Sequence, residues 1–152
     1  MRIISHRGNL NGIDKSKEND PDHIYHVLTS TKFDVEIDVF GVNDDLYFGH
    51  DEPKYKMPND FLWGHQNRIW IHCKNLRSLH LMCVFYFDDN SGLNFFWHQN
   101  DDFTITNQGY IWTYPGKELG TKSICVLPET VELKTKIMHC AGICTDYPNK
   151  YL

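Results

Sequence analysis

Short apolar or β-branched runs recur along the whole chain, at 2–5, 34–39, 69–73, 83–87, 94–98, 110–113, 123–127 and 142–145. Each has the length of a strand, and the spacing predicts about eight of them. Helical signals are fewer. Over 21–31, Asp20 can cap, Pro21 fits the first turn, and Ile24, Val27 and Leu28 share a face. A second helix is expected over 75–82. The segment 128–139 has a mixed period, alternating like a strand at Val131, Leu133, Thr135 and Ile137, and is assigned as a helix. Around Asn107-Gln108-Gly109, the runs 103–106 and 110–113 suit a hairpin.

Strands separated by helices early in the chain point to parallel β-α-β units, and about eight strands would suit a closed barrel. A full barrel of that kind takes about 250 residues, whereas this chain has 152. The expected fold is therefore α/β, a reduced or distorted TIM-like β/α barrel with several outer helices shortened to loops. With 41% hydrophobic residues, the chain can bury one core, and residues 1–152 are taken as a single domain.

Composition also narrows the partners. The net charge is -5 and the lysines stand singly, so no basic stripe is present to track a nucleic-acid backbone. No segment joins a large apolar face to a Lys/Arg-rich one, which argues against membrane insertion. The opening residues enter a short apolar run too brief for a signal peptide or a membrane span. Five cysteines, an odd number, favour free and mostly buried thiols. A cytoplasmic, reducing location is the expectation. A shortened helical layer would leave apolar surface that a homodimer could cover.

The chemistry concentrates in Asp34-Val35-Glu36-Ile37-Asp38-Val39. On a strand, Glu36 and Asp38 project to one side, and Val35, Ile37 and Val39 to the other. Two carboxylates on one confined face repel, and oxygen ligands of this kind suit Mg²⁺, Ca²⁺ or Mn²⁺. The alternative is an antiparallel strand with its polar face in water. Neighbouring motifs favour the metal. His6-Arg7-Gly8 follows the first strand at once, and Gly49-His50-Asp51 follows Leu46-Tyr47-Phe48. Two histidines at strand ends can act as acid and base near neutral pH while Arg7 holds an anion.

The ordered motifs His6-Arg7-Gly8, Glu18-Asn19, Glu36-Ile37-Asp38-Val39 and Gly49-His50-Asp51 together resemble the N-terminal signature of the glycerophosphodiester phosphodiesterases. Trp112-Thr113 and Thr145-Asp146-Tyr147-Pro148 resemble motifs at the ends of that family's last strands. The resemblance implies a hydrolase of lipid metabolism acting on a small-molecule phosphodiester. A divalent ion would be held by Glu36 and Asp38, with His6 and His50 as the acid-base pair. Arg7 would bind phosphate, Lys74 would neutralise phosphoryl charge, and Glu18 would hold the metal-site loop or the ion. Sphingomyelinase-D-like enzymes, which would release a cyclic phosphate, are similar in this core.

One position departs from the pattern. Two residues before the lysine the family has an acidic metal ligand, and here that residue is His72. An imidazole ligates Mn²⁺, Zn²⁺ or Fe²⁺ readily and suits Mg²⁺ or Ca²⁺ poorly. The ion could instead rest on two carboxylates and water, Asp51 could compensate, or the metal and the activity could be lost, leaving a barrel that only binds a phosphorylated ligand. Among the aromatic runs, Trp112 and then His98 are the candidates for a substrate pocket. The His139-Cys140 and Cys144 spacing lacks the second ligand pair of a structural zinc site.

Overall fold

In the computed structural model, residues 1–87, 90–131 and 137–152 are described. Their elements, in chain order, are β1 (Arg2–His6), α1 (Pro21–Ser30), β2 (Asp34–Val42), β3 (Asp45–Phe48), β4 (Tyr55–Lys56), β5 (Ile69–Cys73), α2 (Leu76–Tyr86), β6 (Asn94–Trp97), β7 (Phe103–Ile105), β8 (Ile111–Thr113), β9 (Ser123–Val126) and β10 (Gly142–Thr145). All the strands belong to one 10-stranded sheet. Its centre is parallel, in the order β6-β5-β2-β1-β10-β9-β8. Strands β3, β4 and β7 are antiparallel additions.

β2 is the longest strand and pairs with three others. Its first residues pair with β1 (Ile4 with Asp34, His6 with Glu36), and its outer end pairs with β3 (Val39 with Phe48). The carbonyls of Glu36 and Asp38 point to the same edge, one accepting from Arg7 N–H and the next from Gly49 N–H. β3 therefore takes over the edge that β1 leaves, and β5 runs along the other edge.

The alternation of β2 separates two apolar layers. Val35, Ile37 and Val39 pack with Ile24, Val27 and Leu28 of α1, Met82 of α2, and Ile69 and Ile71 of β5. On the opposite face lie Ile4, Trp70, Phe96, Trp112, Ile124, Val126 and Cys144. Phe96 of β6 and Trp112 of β8 are not on neighbouring strands, yet their rings stack at 4.5 Å. The sheet is thus curled, with this second face on the inside.

The architecture corrects the expected TIM-like α/β barrel. It is a curled, mixed half-barrel sheet carrying two short helices among the described residues. The reason lies in the connections. Among the described residues only the β1–β2 and β5–β6 crossovers contain an α-helix, and β3, β4 and β7 fold back where a repeating β/α unit would continue in parallel. No ladder joins β6 to β7 among the described residues. Single hydrogen bonds bridge there, with Asn107 Oδ1 accepting from Phe95 N–H at 2.8 Å, Asn107 N–H donating to the Phe95 carbonyl at 3.1 Å and Thr104 Oγ1 donating to the Trp97 carbonyl at 2.9 Å.

Other expectations fare unevenly. Asp20 caps α1 by accepting from His23 N–H, and the hairpin is present as β7 and β8. The run 83–87, expected as a strand, lies mainly in α2. Asn75 and Ser78 form a capping box that starts this helix, and Leu81 and Met82 carry its buried face up to the run. The helix expected over 128–139 falls partly on 132–136, outside the described residues. Its described ends are 3-10 turns at Pro128–Thr130 and Ile137–His139. All five cysteines are free, and four are buried. Among the described residues no helix is long and apolar enough to cross a membrane.

Asn75 joins α2 to β2. Its Oδ1 accepts from both Ser78 N–H and Gly41 N–H at 2.9 Å, and its Nδ2 donates to the Gly41 carbonyl at 2.9 Å. The helix start sits so close that a Cβ on Gly41 would come within 2.6 Å of Ser78 N. Replacing Asn75 with Ala removes a cap and two further hydrogen bonds. It should cost about 2–3 kcal/mol in urea unfolding, given roughly 1 kcal/mol for each.

Candidate active site

Parallel pairing in register places like-numbered neighbours on the same face. His6 is therefore the cross-strand partner of Glu36, Asp38 of His72, and His72 of Phe96. Lys74, just past β5, shares the face of His72, and Asp146 follows β10 beside β1. All these groups lie at the C-terminal ends of the parallel strands. That is where open α/β sheets hold their ligands.

Glu36 and Asp38 are buried, and Glu36 and His72 line the cleft. One ligand atom from each of Glu36, Asp38 and His72 lies within 4.8 Å of the others, a grouping able to hold a metal ion. Asp38 is the hub. Its Oδ2 accepts from Asn19 Nδ2 at 3.0 Å and lies 3.0 Å from Arg7 Nε, while its backbone N–H donates to Asn19 Oδ1 at 2.9 Å. Its Oδ1 lies 3.2 Å from His72 Nδ1 and 3.5 Å from Lys74 Nζ. Neither is aligned as a hydrogen bond, so Asp38 Oδ1 is a buried oxygen without a hydrogen-bond partner. An orphaned carboxylate oxygen facing an imidazole nitrogen fits a cation.

The electrostatics follow from this crowding. Burial alone raises the Asp38 carboxyl, but His72, Arg7 and Lys74 outweigh it and hold the group well below the usual carboxylate range. Glu36 is pushed up, first by burial and then by the charge of Asp38. The two acids on one face are thus driven apart, Asp38 downward and Glu36 upward.

His6 and His50 are each held by a carboxylate through Nδ1. His6 Nδ1 lies 2.8 Å from Asp146 Oδ1, leaving Nε2 toward Glu36 at 3.9 Å. Asp146 is itself fixed, accepting from Asn9 Nδ2 at 2.8 Å and donating its backbone N–H to Glu129 Oε1 at 2.8 Å. His50 Nδ1 lies 2.6 Å from Asp51 Oδ1. Burial lowers His6, yet the Asp146 hydrogen bond and the charge of Glu36 outweigh it and raise its pKa. Burial, with the Arg7 charge behind it, lowers that of His50.

Arg7 occupies the left-handed region at φ 53. Such a conformation costs on the order of 1–3 kcal/mol in a non-glycine residue, and the contacts around it hold it there. Its N–H donates to the Glu36 carbonyl at 3.0 Å, and its side chain reaches Asp38 and Glu18. A cleft of about 340 Å³ opens at these groups, lined by His6, Arg7, Glu36, His50, His72 and Lys74. Trp97, His98, Trp112, Tyr114 and Leu127 line it as well.

The expected site residues divide accordingly. His6, Arg7, Glu36, Asp38, His72 and Lys74 form one contiguous group, and His50 borders the same cleft. Trp112 and His98 also line it; Trp112 is stacked on Phe96, and His98 lies over Tyr114 with its rings 4.8 Å apart. Glu18 accepts from Asn9 and faces Arg7 and Lys15, so it braces the loop and is not part of the metal-ligand group. Asp51 points to His50 with its side chain 91% exposed, and does not replace the missing acid. Asn9, Asn19, Asp146 and Glu129 were absent from the expected site. Two of them, Asn19 and Asp146, stand within the motifs Glu18-Asn19 and Thr145-Asp146-Tyr147-Pro148. Asn9 and Glu129 have no local signal.

No protein-family description, curated protein or solved structure matches the chain.

In protein held metal-free with EDTA, His6 should titrate above an ordinary imidazole, and Asp146→Asn should bring it down, as read by ¹H-¹⁵N NMR of the ring. Because the folded value is the raised one, the dyad's contribution to stability is present below about pH 6.5. It is lost as pH rises through the folded value. An unchanged His6 titration in Asp146→Asn would rule the dyad out.

Proposed function

We propose that the chain is a metal-dependent phosphodiesterase cleaving a glycerophosphodiester-like small molecule by histidine acid-base catalysis. The observation that carries this reading is the pairing of two carboxylate-held histidines, His6 and His50, around one cleft that also holds the cations Arg7 and Lys74 and the Glu36, Asp38 and His72 group. The motif resemblance supports it at the same positions, although the sheet is not that family's barrel.

A phosphodiester carries one negative charge, and its non-bridging oxygens gain charge as the bond breaks. Arg7 and Lys74 line the cleft and supply compensating charge there. Asp38 holds both cations in place, through Arg7 Nε at 3.0 Å and Lys74 Nζ at 3.5 Å. A divalent ion held by Glu36, Asp38 and His72 would act as a Lewis acid on a phosphoryl oxygen. Each histidine has Nδ1 committed to a carboxylate, which orients the ring and leaves Nε2 free to exchange a proton. One removes the proton from the attacking hydroxyl, and the other protonates the departing alkoxide. The attacking group is either water, giving a phosphomonoester, or a hydroxyl of the substrate, giving a cyclic phosphate. In the same cleft, Trp112, Trp97 and Tyr114 offer apolar surface for the alcohol portion.

Purified protein is expected to cleave bis(p-nitrophenyl) phosphate or a glycerophosphodiester with an added divalent ion and to stop in EDTA. ³¹P NMR of the product separates hydrolysis from cyclisation. On the glycerophosphodiester, whose alkoxide leaving group needs a proton, His6→Ala and His50→Ala should each lower kcat by roughly 10²–10⁴-fold, the usual scale of an acid-base residue. Turnover that survives either change would remove the histidine mechanism, and tight phosphate binding without turnover under any ion would mark a ligand-binding protein instead.

A further inference from the structure

His72 Nε2 lies 2.8 Å from the backbone carbonyl oxygen of His98. A carbonyl only accepts, so Nε2 carries a hydrogen. In a neutral imidazole the other nitrogen, Nδ1, is then a lone pair. That lone pair faces Asp38 Oδ1 at 3.2 Å, and this oxygen is itself buried without a hydrogen-bond partner. Two acceptors at this distance repel unless a positive charge lies between them. The ring has little freedom to turn away, because it stacks on Phe96 at 5.2 Å with an interplanar angle of 14°. Flipping it would give up the His98 bond.

Two fillings satisfy this geometry, a metal ion or a proton on Nδ1. The ion is favoured by a third donor, Glu36, whose carboxylate lies in the same group of atoms. The outer bond from Nε2–H to a backbone carbonyl is also the arrangement that fixes the tautomer of metal-bound histidines. A set of two carboxylates and one imidazole nitrogen is not what the hard ions prefer. Mg²⁺ and Ca²⁺ take oxygen ligands, whereas first-row transition ions gain from nitrogen.

We infer that this centre binds a borderline ion such as Mn²⁺, Co²⁺ or Zn²⁺ through His72 Nδ1, in preference to Mg²⁺ or Ca²⁺. The inference rests on the metal-assisted reading above but is tested by binding, so that the two can fail separately.

The experiment is calorimetric titration of EDTA-stripped, dialysed protein with the chloride salts of Mg²⁺, Ca²⁺, Mn²⁺, Co²⁺ and Zn²⁺, repeated on His72→Asp. Co²⁺ and Zn²⁺ should bind at least ~100-fold more tightly than Mg²⁺, and the all-carboxylate variant should narrow that ratio by ~10-fold or more. In ¹⁵N-histidine-labelled wild-type protein, Zn²⁺ should shift the His72 Nδ1 resonance while Nε2 stays protonated. This second measurement and the wild-type ranking decide the matter if circular dichroism shows the variant unfolded. Mg²⁺ binding as tight as Co²⁺, a ranking indifferent to His72→Asp, an ion seated on Nε2, or no ion with both His72 nitrogens protonated would each overturn the inference. Turnover with Mg²⁺ alongside a failed ranking would leave the phosphodiesterase reading standing. The expected ranking without turnover would leave only the metal centre.

Discussion

In-register parallel pairing of β2 with β1 and β5 sets His6 beside Glu36 and His72 beside Asp38, and the rest of the site is arranged around those two pairs. A strand has a period of two, so a slip of one residue in β2 would send Glu36 and Asp38 into the helix-packed layer and bring Val35 and Ile37 to the cleft. Burial of Val35, Ile37 and Val39 against α1, α2 and β5 is what prohibits that slip. The apolar side of β2 therefore holds the acidic side in place. At the other end of the same polar face, Asp34 is paired with Arg2 at 2.7 Å and accepts from Trp70 Nε1–H at 3.1 Å, which sets it apart from the group of Glu36, Asp38 and His72.

Two buried carboxylates side by side are costly, and the surrounding residues share that cost unequally. Asn19, Arg7, Lys74 and His72 all converge on Asp38, whereas Glu36 receives one N–H from Arg7 and the edge of His6. The left-handed residues Arg7 and Asn19 stand on either side of this convergence. Both are bent into place by the acid they serve, since Asn19 grips the backbone N–H and the side chain of Asp38 at once. Local strain and a buried ion cluster are thus one construction.

Much of this was legible in the chain, and the limits have physical causes. The alternation in 34–39 identified the face of Glu36 and Asp38 because a strand's period is independent of its partners. His72 and Lys74 came from the motif resemblance, and the same rule set them on one face. The run 83–87 misled because an apolar pentapeptide carries no period of its own, and the decision lay upstream in the Asn75–Ser78 capping box. The closed barrel failed because strand number does not specify strand direction. β3, β4 and β7 return antiparallel through short connections, and the apolar runs alone do not distinguish that from a parallel repeat. Asn9 and Glu129 were invisible because they act on Asp146, far from them in sequence.

The bond from His6 to Asp146 spans 140 residues. It joins the first strand to the turn after the last, with β10 inserted between β1 and β9. During synthesis the groups around Asp38 all precede residue 75, but His6 waits for its carboxylate until residue 146 has been made. A chain interrupted before Asp146 holds the residues of the acidic cluster and lacks the carboxylate that orients His6. The order of synthesis thereby makes the proton carrier of the proposed reaction the last part of the site to be set.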